Sequence, residues 1–278
     1  MINLYSVNPP FVNSVTFQGN KTKINPSYKA VISCFNAHPD KSEKAHRELS
    51  AIVPELQPLF SVKQKGNHEF TAGEHITTAL FGLKKIPEFN KLPQQDKELM
   101  ILTVLLHDIA KRGELLKKSN SREQNLKILL DGGCPPKYAK KELDNFLNSN
   151  KNEQIAPDHL HPANSAILAD KILTKMKYPQ KDKELAVRLI KNHVALGDMN
   201  FAQNVRKLQT QDDIDFYNTS KQKLKNAVND SRELKLMYIL TVADLKGIST
   251  TNPVYNPKLA SMLSKLHDDL QNEFFQVR

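Results

Sequence analysis

The side chains best suited to chemistry in this sequence are four histidines and two aspartates that recur along its apolar segments. Two of them are adjacent, since His107 and Asp108 directly follow the apolar run 100–106. An imidazole and a carboxylate at the edge of a buried segment are costly unless they are compensated, and a divalent metal ion compensates both. Such donors suit Fe, Mn, Zn, Co and Ni. The candidate metal ligands are His75, His107, Asp108, His161, His193 and Asp244.

A single His-Asp pair is weak evidence, because the chain contains a second one. His267-Asp268 is followed by another aspartate and preceded by no apolar run, so we interpret it as a solvated surface pair. Taken singly, the other candidates also have structural interpretations, such as a core histidine or a histidine at a helix end. Asp158 and His159 are alternatives to His161. The joint order of the six residues, each next to an apolar helical segment, favours a metal centre.

Helical periodicity dominates the chain from about residue 40 onward and predicts an all-α fold with a single core. The segment 94–112 should be the central helix, because residues 99–106 are apolar on every side. Residues 197–230 are polar and ambiguous. No strand–glycine–helix pattern occurs, which argues against a Rossmann or P-loop site. Further helices are expected at about 41–53, from 71, 121–131, 136–149, from 161, 181–194, 231–248 and 257–275.

The chain divides into an irregular arm and one helical domain. Residues 1–38 lack a sustained period and form the predicted arm, with one short strand at 14–17. Residues 39–278 form the predicted domain, whose metal core spans about 70–250. A polar, lysine-rich stretch at 113–158 is expected to be a helical insertion within that core, broken in its middle by a Gly-Gly-Cys-Pro-Pro sequence.

Composition limits the partners and the setting. A net charge of +10 favours anionic partners such as nucleotides or nucleic acid, but no run of five or more basic residues marks a dedicated nucleic-acid surface. Cys34 and Cys134 are the two cysteines and do not form a Cys-x-x-Cys pair, which favours a reduced, cytoplasmic location. No apolar run approaches the roughly 20 residues of a membrane helix, and the N-terminus does not resemble a signal peptide.

The motifs resemble those of the HD-domain superfamily of metal-dependent phosphohydrolases, over roughly residues 70–250. His107-Asp108-Ile109-Ala110-Lys111 is a close copy of the family's His-Asp-x-x-Lys motif. Glu74-His75-Ile76 is similar to its first histidine, and Ala243-Asp244-Leu245 is similar to its closing aspartate. Residues 161–166 resemble the His-Pro-x-x-Gly-Ala segment of members with two metal ions, although Ser165 replaces the glycine.

The resemblance implies a single-core helical bundle that holds two divalent transition-metal ions, above all Fe or Mn, with Co, Ni, Zn or Mg as alternatives. By position in the family pattern, Asp108 would bridge the two ions and would be catalytic together with Lys111, which would steady the charge of a phosphate. The first ion would be held by His75, His107, Asp108 and Asp244, and the second by Asp108, His161 and His193.

This family pattern predicts hydrolysis of a phosphoester or phosphoanhydride in a nucleotide, dinucleotide or cyclic dinucleotide. Lys111, Arg112 and Arg122 are the expected substrate-binding residues, since they lie at or near the start of the basic insertion. Two alternatives stay open, because the same ligands also occur in non-haem di-iron oxygenases of the superfamily and in nucleases for single-stranded nucleic acid. A module that senses a nucleotide without hydrolysing it is a third. The oligomeric state is not predicted.

Overall fold

The structure is a computed structural model that describes residues 27–64, 68–250 and 255–276. The predicted all-α class is confirmed in these residues. The α-helices are α1 (Tyr28–Ala37), α2 (Glu43–Ile52), α3 (Ala72–Gly82), α4 (Pro87–Asn90), α5 (Gln94–Leu106), α6 (Arg122–Asp131), α7 (Pro136–Leu147), α8 (His161–Lys175), α9 (Gln180–Lys191), α10 (Ala195–Asn204), α11 (Gln211–Ala227), α12 (Ser231–Gly247) and α13 (Pro257–Phe275). Two 3-10 segments (Pro54–Ser61 and Leu83–Lys85) and two short strands, β1 (Leu115–Lys117) and β2 (Glu153–Ile155), complete the described elements.

Helix α5 is the central element of the bundle, as its apolar sequence predicts. Every residue from Leu99 to Leu106 is buried, and α5 packs against α1, α3, α8, α9 and α12. A helix that is apolar on all sides has no face to offer to water, so it is most stable when neighbours surround it.

The end of α5 differs from the prediction. The helix ends at Leu106, not near residue 112, and residues 107–110 form tight turns. The Nδ1 atom of His107 hydrogen-bonds to the Val104 carbonyl at 2.7 Å, which takes an acceptor from the last helical turn. The backbone N–H of Lys111 then bonds to the Asp108 carbonyl at 3.0 Å. His107 and Asp108 therefore leave the helix axis and turn toward neighbouring helices.

Two regions are more ordered than the sequence predicted. The interpretation of 1–38 as an irregular arm is wrong for its last part, because residues 28–37 form α1 and bury Val31 and Phe35 in the core. The strand expected at 14–17 lies outside the described residues. The ambiguous stretch 197–230 contains most of α10 and α11, which pack against each other. Half of α10 but only four residues of α11 are buried, and several of these buried residues are polar, so the apolar period of the two helices is obscured.

The predicted insertion is present and has a core of its own. In sequence, helices α6 and α7 lie between β1 and β2. The two strands pair antiparallel, with Leu115 opposite Ile155. The prediction of a single core therefore holds for the main bundle but not for the insertion. Strands of three residues are too short for a period to reveal them. The buried residues of the insertion are Leu116, Leu129, Cys134, Ala139, Leu143, Phe146 and Ala156.

The composition also led to expectations about the two cysteines and about membrane helices. Cys34 and Cys134 are both buried, and they are not joined in a disulfide. Among the described helices, none combines the length and apolar character that a membrane crossing requires.

Candidate metal centre

All six predicted ligands meet at one point inside the bundle, although 169 positions separate the first from the last in sequence (244 − 75). Four of them, His75, His107, Asp108 and His193, are at most 2 % exposed. The side chains of His161 and Asp244 are 15 % and 23 % exposed, so the cluster opens to solvent on their side. The ligands come from α3 (His75), the turn after α5 (His107 and Asp108), the start of α8 (His161), the turn after α9 (His193) and α12 (Asp244).

The carboxylate of Asp108 lies between two groups of donors. Its Oδ2 atom is 3.3 Å from His75 Nε2 and 3.4 Å from His107 Nε2. Its Oδ1 atom is 3.3 Å from His161 Nε2 and 3.5 Å from His193 Nε2. The side chains therefore form two adjoining groups that can each hold a metal ion and that share Asp108.

Asp244 completes the first of these groups. Its Oδ1 atom is 3.0 Å from His75 Nε2 and 3.5 Å from His107 Nε2. These two imidazole nitrogens are themselves only 3.2 Å apart. Nitrogen and oxygen atoms at such separations match the edges of a coordination shell with bonds of about 2.0–2.2 Å.

Hydrogen bonds to the backbone orient three of the imidazoles. The Nδ1 atoms of His107, His161 and His193 lie 2.6–2.8 Å from the carbonyl oxygens of Val104, Asp158 and Ile190. A carbonyl only accepts, so each bond assigns a proton to Nδ1, and in the neutral ring Nε2 then carries a lone pair. Three lone pairs directed at a carboxylate repel it unless a cation lies between them. This arrangement is the usual outer support of metal-binding histidines.

The surroundings of Asp108 give a second indication that the cluster suits a cation. Both of its carboxylate oxygens are buried and accept no hydrogen bond of acceptable geometry. The Lys111 ammonium lies 2.7 Å from Oδ2 and brings a positive charge to the carboxylate. Buried polar atoms normally have partners, so two orphaned carboxylate oxygens surrounded by imidazole nitrogens fit a site for metal ions.

The charge balance of the cluster shifts the pKa values of its members. Burial alone would raise the pKa of Asp108, but Lys111, His107 and His161 hold it well below its usual range. Burial would lower the pKa of His75, but Asp108 and Asp244 overcome this effect and raise it to about 9. A pKa of about 9 keeps a proton on His75 at neutral pH, and a metal ion that bound there would have to displace this proton, so its binding would become more favourable as the pH rises.

His75 is positioned by packing instead of a backbone bond. Its Nδ1 atom is buried without a partner and faces Gly247 at the end of α12. A Cβ atom at Gly247 would lie 2.9 Å from this nitrogen and 3.0 Å from the Cβ of Ala79. Gly247 thus leaves the space that the imidazole occupies.

We expect Gly247→Ala to displace His75 and to weaken the first metal site by about 10- to 100-fold, the loss typical when the support of a ligand is disturbed. Metal titration of the purified variant measures this. Gly82→Ala is the matched control, since Gly82 also ends a helix and its Cβ would meet nothing within 4 Å. Equal metal affinity in the two variants would show that His75 does not need this space.

Ser165, the departure from the family pattern, also contacts the motif turn. Its side chain is fully buried, and its Oγ atom accepts a hydrogen bond of 3.2 Å from the backbone N–H of Ala110. This bond joins α8, which carries His161, to the turn that carries Asp108. Ser165 is therefore compatible with the site, and its hydrogen bond connects the segment of His161 to the turn of Asp108.

A cavity of about 180 Å³ adjoins the exposed side of the cluster. Lys111 and His161 lie where the cavity meets the metal ligands, and the Lys111 ammonium donates to Gln64 Oε1 at 2.6 Å. The walls come from the segment before α3, including Val62 and His68, and from residues 155–158 at the return of the insertion. The insertion thus forms part of the entrance to the cluster.

The other two predicted substrate residues have different partners. The Arg112 side chain donates to the Asp131 carbonyl at 3.1 Å and pairs with Glu114. Arg122 pairs with Asp144 at 2.6 Å on the surface of the insertion. Neither arginine is among the described residues that line the cavity. The substrate contacts expected of Arg112 and Arg122 stay predictions; in this structure both side chains pair with local acidic or carbonyl groups.

Sequence reasoning gave little weight to His68, which lies seven positions before His75. Its ring packs edge-on against the His75 ring, with centroids 5.2 Å apart, and its buried Nδ1 has no partner. Burial and the charge of Lys111 lower the pKa of His68 to about 4, so this imidazole is neutral at physiological pH. The only sequence signal was the spacing, because the loop around His68 has no helical period.

Asp198 on α10 is a partly buried acid whose neighbouring charges include His193 of the cluster. Burial, opposed by weaker effects of Lys223, His193 and Arg206, raises its pKa from 3.8 to about 6. Its charged form therefore destabilises the fold above pH 6, and this cost disappears as the pH falls below 3.8. We expect Asp198→Asn to raise the free energy of unfolding at pH 7.5 by about 1–2 kcal/mol. Denaturant unfolding at pH 7.5 and pH 3.5 tests this, and a gain that persists at pH 3.5 would contradict it.

The internal control for the motif is partly as expected. Asp268 is 68 % exposed and lies on α13, away from the six ligands. His267, however, is only 14 % exposed and packs against the Tyr238 ring at 5.1 Å, so its interpretation as a solvated residue is wrong. An aromatic neighbour from α12 covers it.

No protein-family model matches this chain, and no curated protein shows significant similarity to it. The resemblance to the HD-domain superfamily therefore depends on the motif residues themselves and on their convergence in space.

Proposed function

We propose that this chain is a metal-dependent phosphohydrolase or phosphodiesterase of the HD-domain type that uses two metal ions. The observation that supports this most strongly is the position of Asp108, whose two oxygens face separate pairs of histidines. A shared carboxylate between two groups of ligands suits a dinuclear centre that acts on a phosphoryl group.

The donor set supports a particular range of metals. Four imidazoles and two carboxylates offer nitrogen and oxygen without sulfur, which suits Fe and Mn, and also Co, Ni and Zn. Six side chains are too few to saturate two ions, so positions remain for water and substrate. Two bound ions would activate water at neutral pH and stabilise the developing charge of a phosphoryl group.

The residues around the cluster suit the phosphoryl end of a substrate. The Lys111 ammonium lies between the Asp108 carboxylate and Gln64 at the cavity, where it can bind a phosphoryl oxygen. The neutral His68 ring can hydrogen-bond to a substrate without adding charge. Apolar side chains such as Val62 and Ile155 reduce access of water at the same entrance. The net charge of +10 agrees with a nucleotide-derived phosphoester or phosphoanhydride.

The test combines metal analysis with a substrate screen. Protein purified without oxygen is loaded with Mn, Fe, Co or Ni and incubated anaerobically with phosphomonoesters, dinucleotides, cyclic dinucleotides and single-stranded oligonucleotides. We expect phosphoester hydrolysis of a nucleotide-derived compound with about two ions bound. Failure to hydrolyse any phosphoester, or oxygen consumption by the iron-loaded protein as the main reaction, would overturn the proposal.

A further inference from the structure

A second group of metal-binding side chains lies away from this centre, between α1 and α2. Cys34 lies on α1, His38 follows the end of that helix four positions later, and Glu48 lies on α2. Each offers one donor atom, and the three atoms lie within 4.8 Å of one another. The His38 Nε2 atom is 2.8 Å from Glu48 Oε2, and the Cys34 thiol also hydrogen-bonds to this carboxylate. Two helices thus bring a sulfur, a nitrogen and an oxygen donor together.

Cys34 is not placed to act as a nucleophile. The residue is only 5 % exposed, and burial together with Glu48 raises the pKa of its thiol to about 12. Reactive cysteines are partly exposed thiolates in positive surroundings, so this thiol is inert unless a metal ion replaces its proton. The chemistry that remains for this sulfur is to bind a metal ion in a structural role.

The three donors match the preferences of zinc. Thiolate, imidazole and carboxylate are its usual ligands, and Zn–ligand bonds of about 2.0–2.3 Å at tetrahedral angles separate ligand atoms by about 3.3–3.6 Å. The contact between His38 and Glu48 needs to lengthen by only about 0.5 Å to reach that range. A thiolate and a carboxylate bring two negative charges, so a bound Zn²⁺ would leave the site neutral.

A positive charge that acts on Cys34 is already engaged by the backbone. The Lys84 ammonium donates to the carbonyl oxygens of Phe35 and His38 at the C-terminal end of α1. The carbonyl end of a helix carries partial negative charge, which stabilises a cation there. Lys84 therefore holds the main chain at His38, the residue that presents the imidazole.

We propose that Cys34, His38 and Glu48 form a zinc site that fastens α1 to α2, separate from the dinuclear centre. The Glu48 side chain is 41 % exposed, so the fourth position of the ion would open to solvent and take a water molecule. The thiol proton leaves to the solvent when the zinc–sulfur bond forms. Because α1 also packs against α5, the site would stabilise the helix layer behind the central helix.

Cobalt(II) tests this proposal, because a bond between cobalt and a thiolate produces an intense near-ultraviolet charge-transfer band. The dinuclear centre contains no sulfur and cannot give this band. We expect the band in the wild-type protein and in Cys134→Ser, its loss in Cys34→Ser, and its displacement by added zinc. Absence of the band in the wild type, or its presence in Cys34→Ser, would overturn the proposal.

A second variant separates metal binding from folding. Glu48→Gln changes a half-exposed side chain and should leave the fold intact while it weakens cobalt affinity by at least about 10-fold. The Asp108→Ala variant disrupts the dinuclear centre, so zinc that stabilises this variant would act elsewhere. Zinc should raise the midpoint of its thermal unfolding, and this increase should vanish in the Asp108→Ala, Glu48→Gln double variant. An unchanged cobalt affinity in folded Glu48→Gln would contradict the assigned ligand.

Discussion

Replacing Asp108 with asparagine is expected to eliminate tight binding of both metal ions and to lower the hydrolytic rate by at least about 10³-fold, which corresponds to about 4 kcal/mol. The two carboxylate oxygens of Asp108 each face a separate pair of histidines, so one side chain serves both groups. Asparagine keeps the shape, but it loses the charge and presents an amide N–H₂ group to one pair. Neither half of the centre should survive this change.

Metal content per protein and initial rates on the substrate found in the screen measure the effect. Asp268→Asn is the matched control, because it changes the same dipeptide on the exposed surface of α13 and should alter neither quantity. Circular dichroism of the metal-free proteins checks folding, since Asp108 also neutralises Lys111 in the buried cluster. A folded Asp108→Asn protein with two ions and full activity would refute the assignment of the centre.

His161→Ala is expected to remove one metal ion and keep the other. His161 contacts only the Oδ1 side of Asp108, whereas His75, His107 and Asp244 form their group around Oδ2. The first group would keep all of its candidate ligands, and the second would keep only His193 and the shared carboxylate. The rate should fall by about 10²- to 10⁴-fold if both ions take part in catalysis, because an ion contributes several kcal/mol to transition-state stabilisation.

His159→Ala separates this effect from the general loss of a nearby imidazole. His159 is exposed and lies two positions away, and it was an alternative ligand from the sequence alone. Its replacement should leave two ions bound and the rate within about 2-fold of the wild type. Loss of both ions in His161→Ala, or loss of one ion in His159→Ala, would contradict the division of the cluster into two groups.

The six residues of the cluster could be predicted from sequence because each costly polar residue adjoins a segment with a strong apolar period. That period also predicted α5 as the central helix, since 99–106 is apolar on every side. The point where α5 ends was harder to predict, because it coincides with a side-chain hydrogen bond from His107 to the Val104 carbonyl. The family resemblance implied that Asp108 is shared by the two groups, but which of its oxygens faces which pair of histidines depends on the packing of five helices.

Some features could not be predicted because they depend on local pairing that carries no period. The side-chain partners of Arg112 and Arg122 are examples, since nearby acidic or carbonyl groups bind both. Helix α11 lies in polar sequence with only four buried residues, whereas α1 and α10 have ten residues each and are too short for a clear period. Strands β1 and β2 are three residues each and are recognisable only as a pair.

The pairing of β1 with β2 has a consequence for how this protein can diversify. The chain leaves the main bundle and returns to it at adjacent points, and the intervening helices rest on their own small core. The hydrogen bonds of such an insertion can open at a lower free-energy cost than those of α5, which native-state hydrogen exchange measures. Its returning residues 155–157 also form a wall of the cavity. Replacing the insertion with a different one would therefore change the access of a substrate to the cavity while the six candidate ligands stay in place.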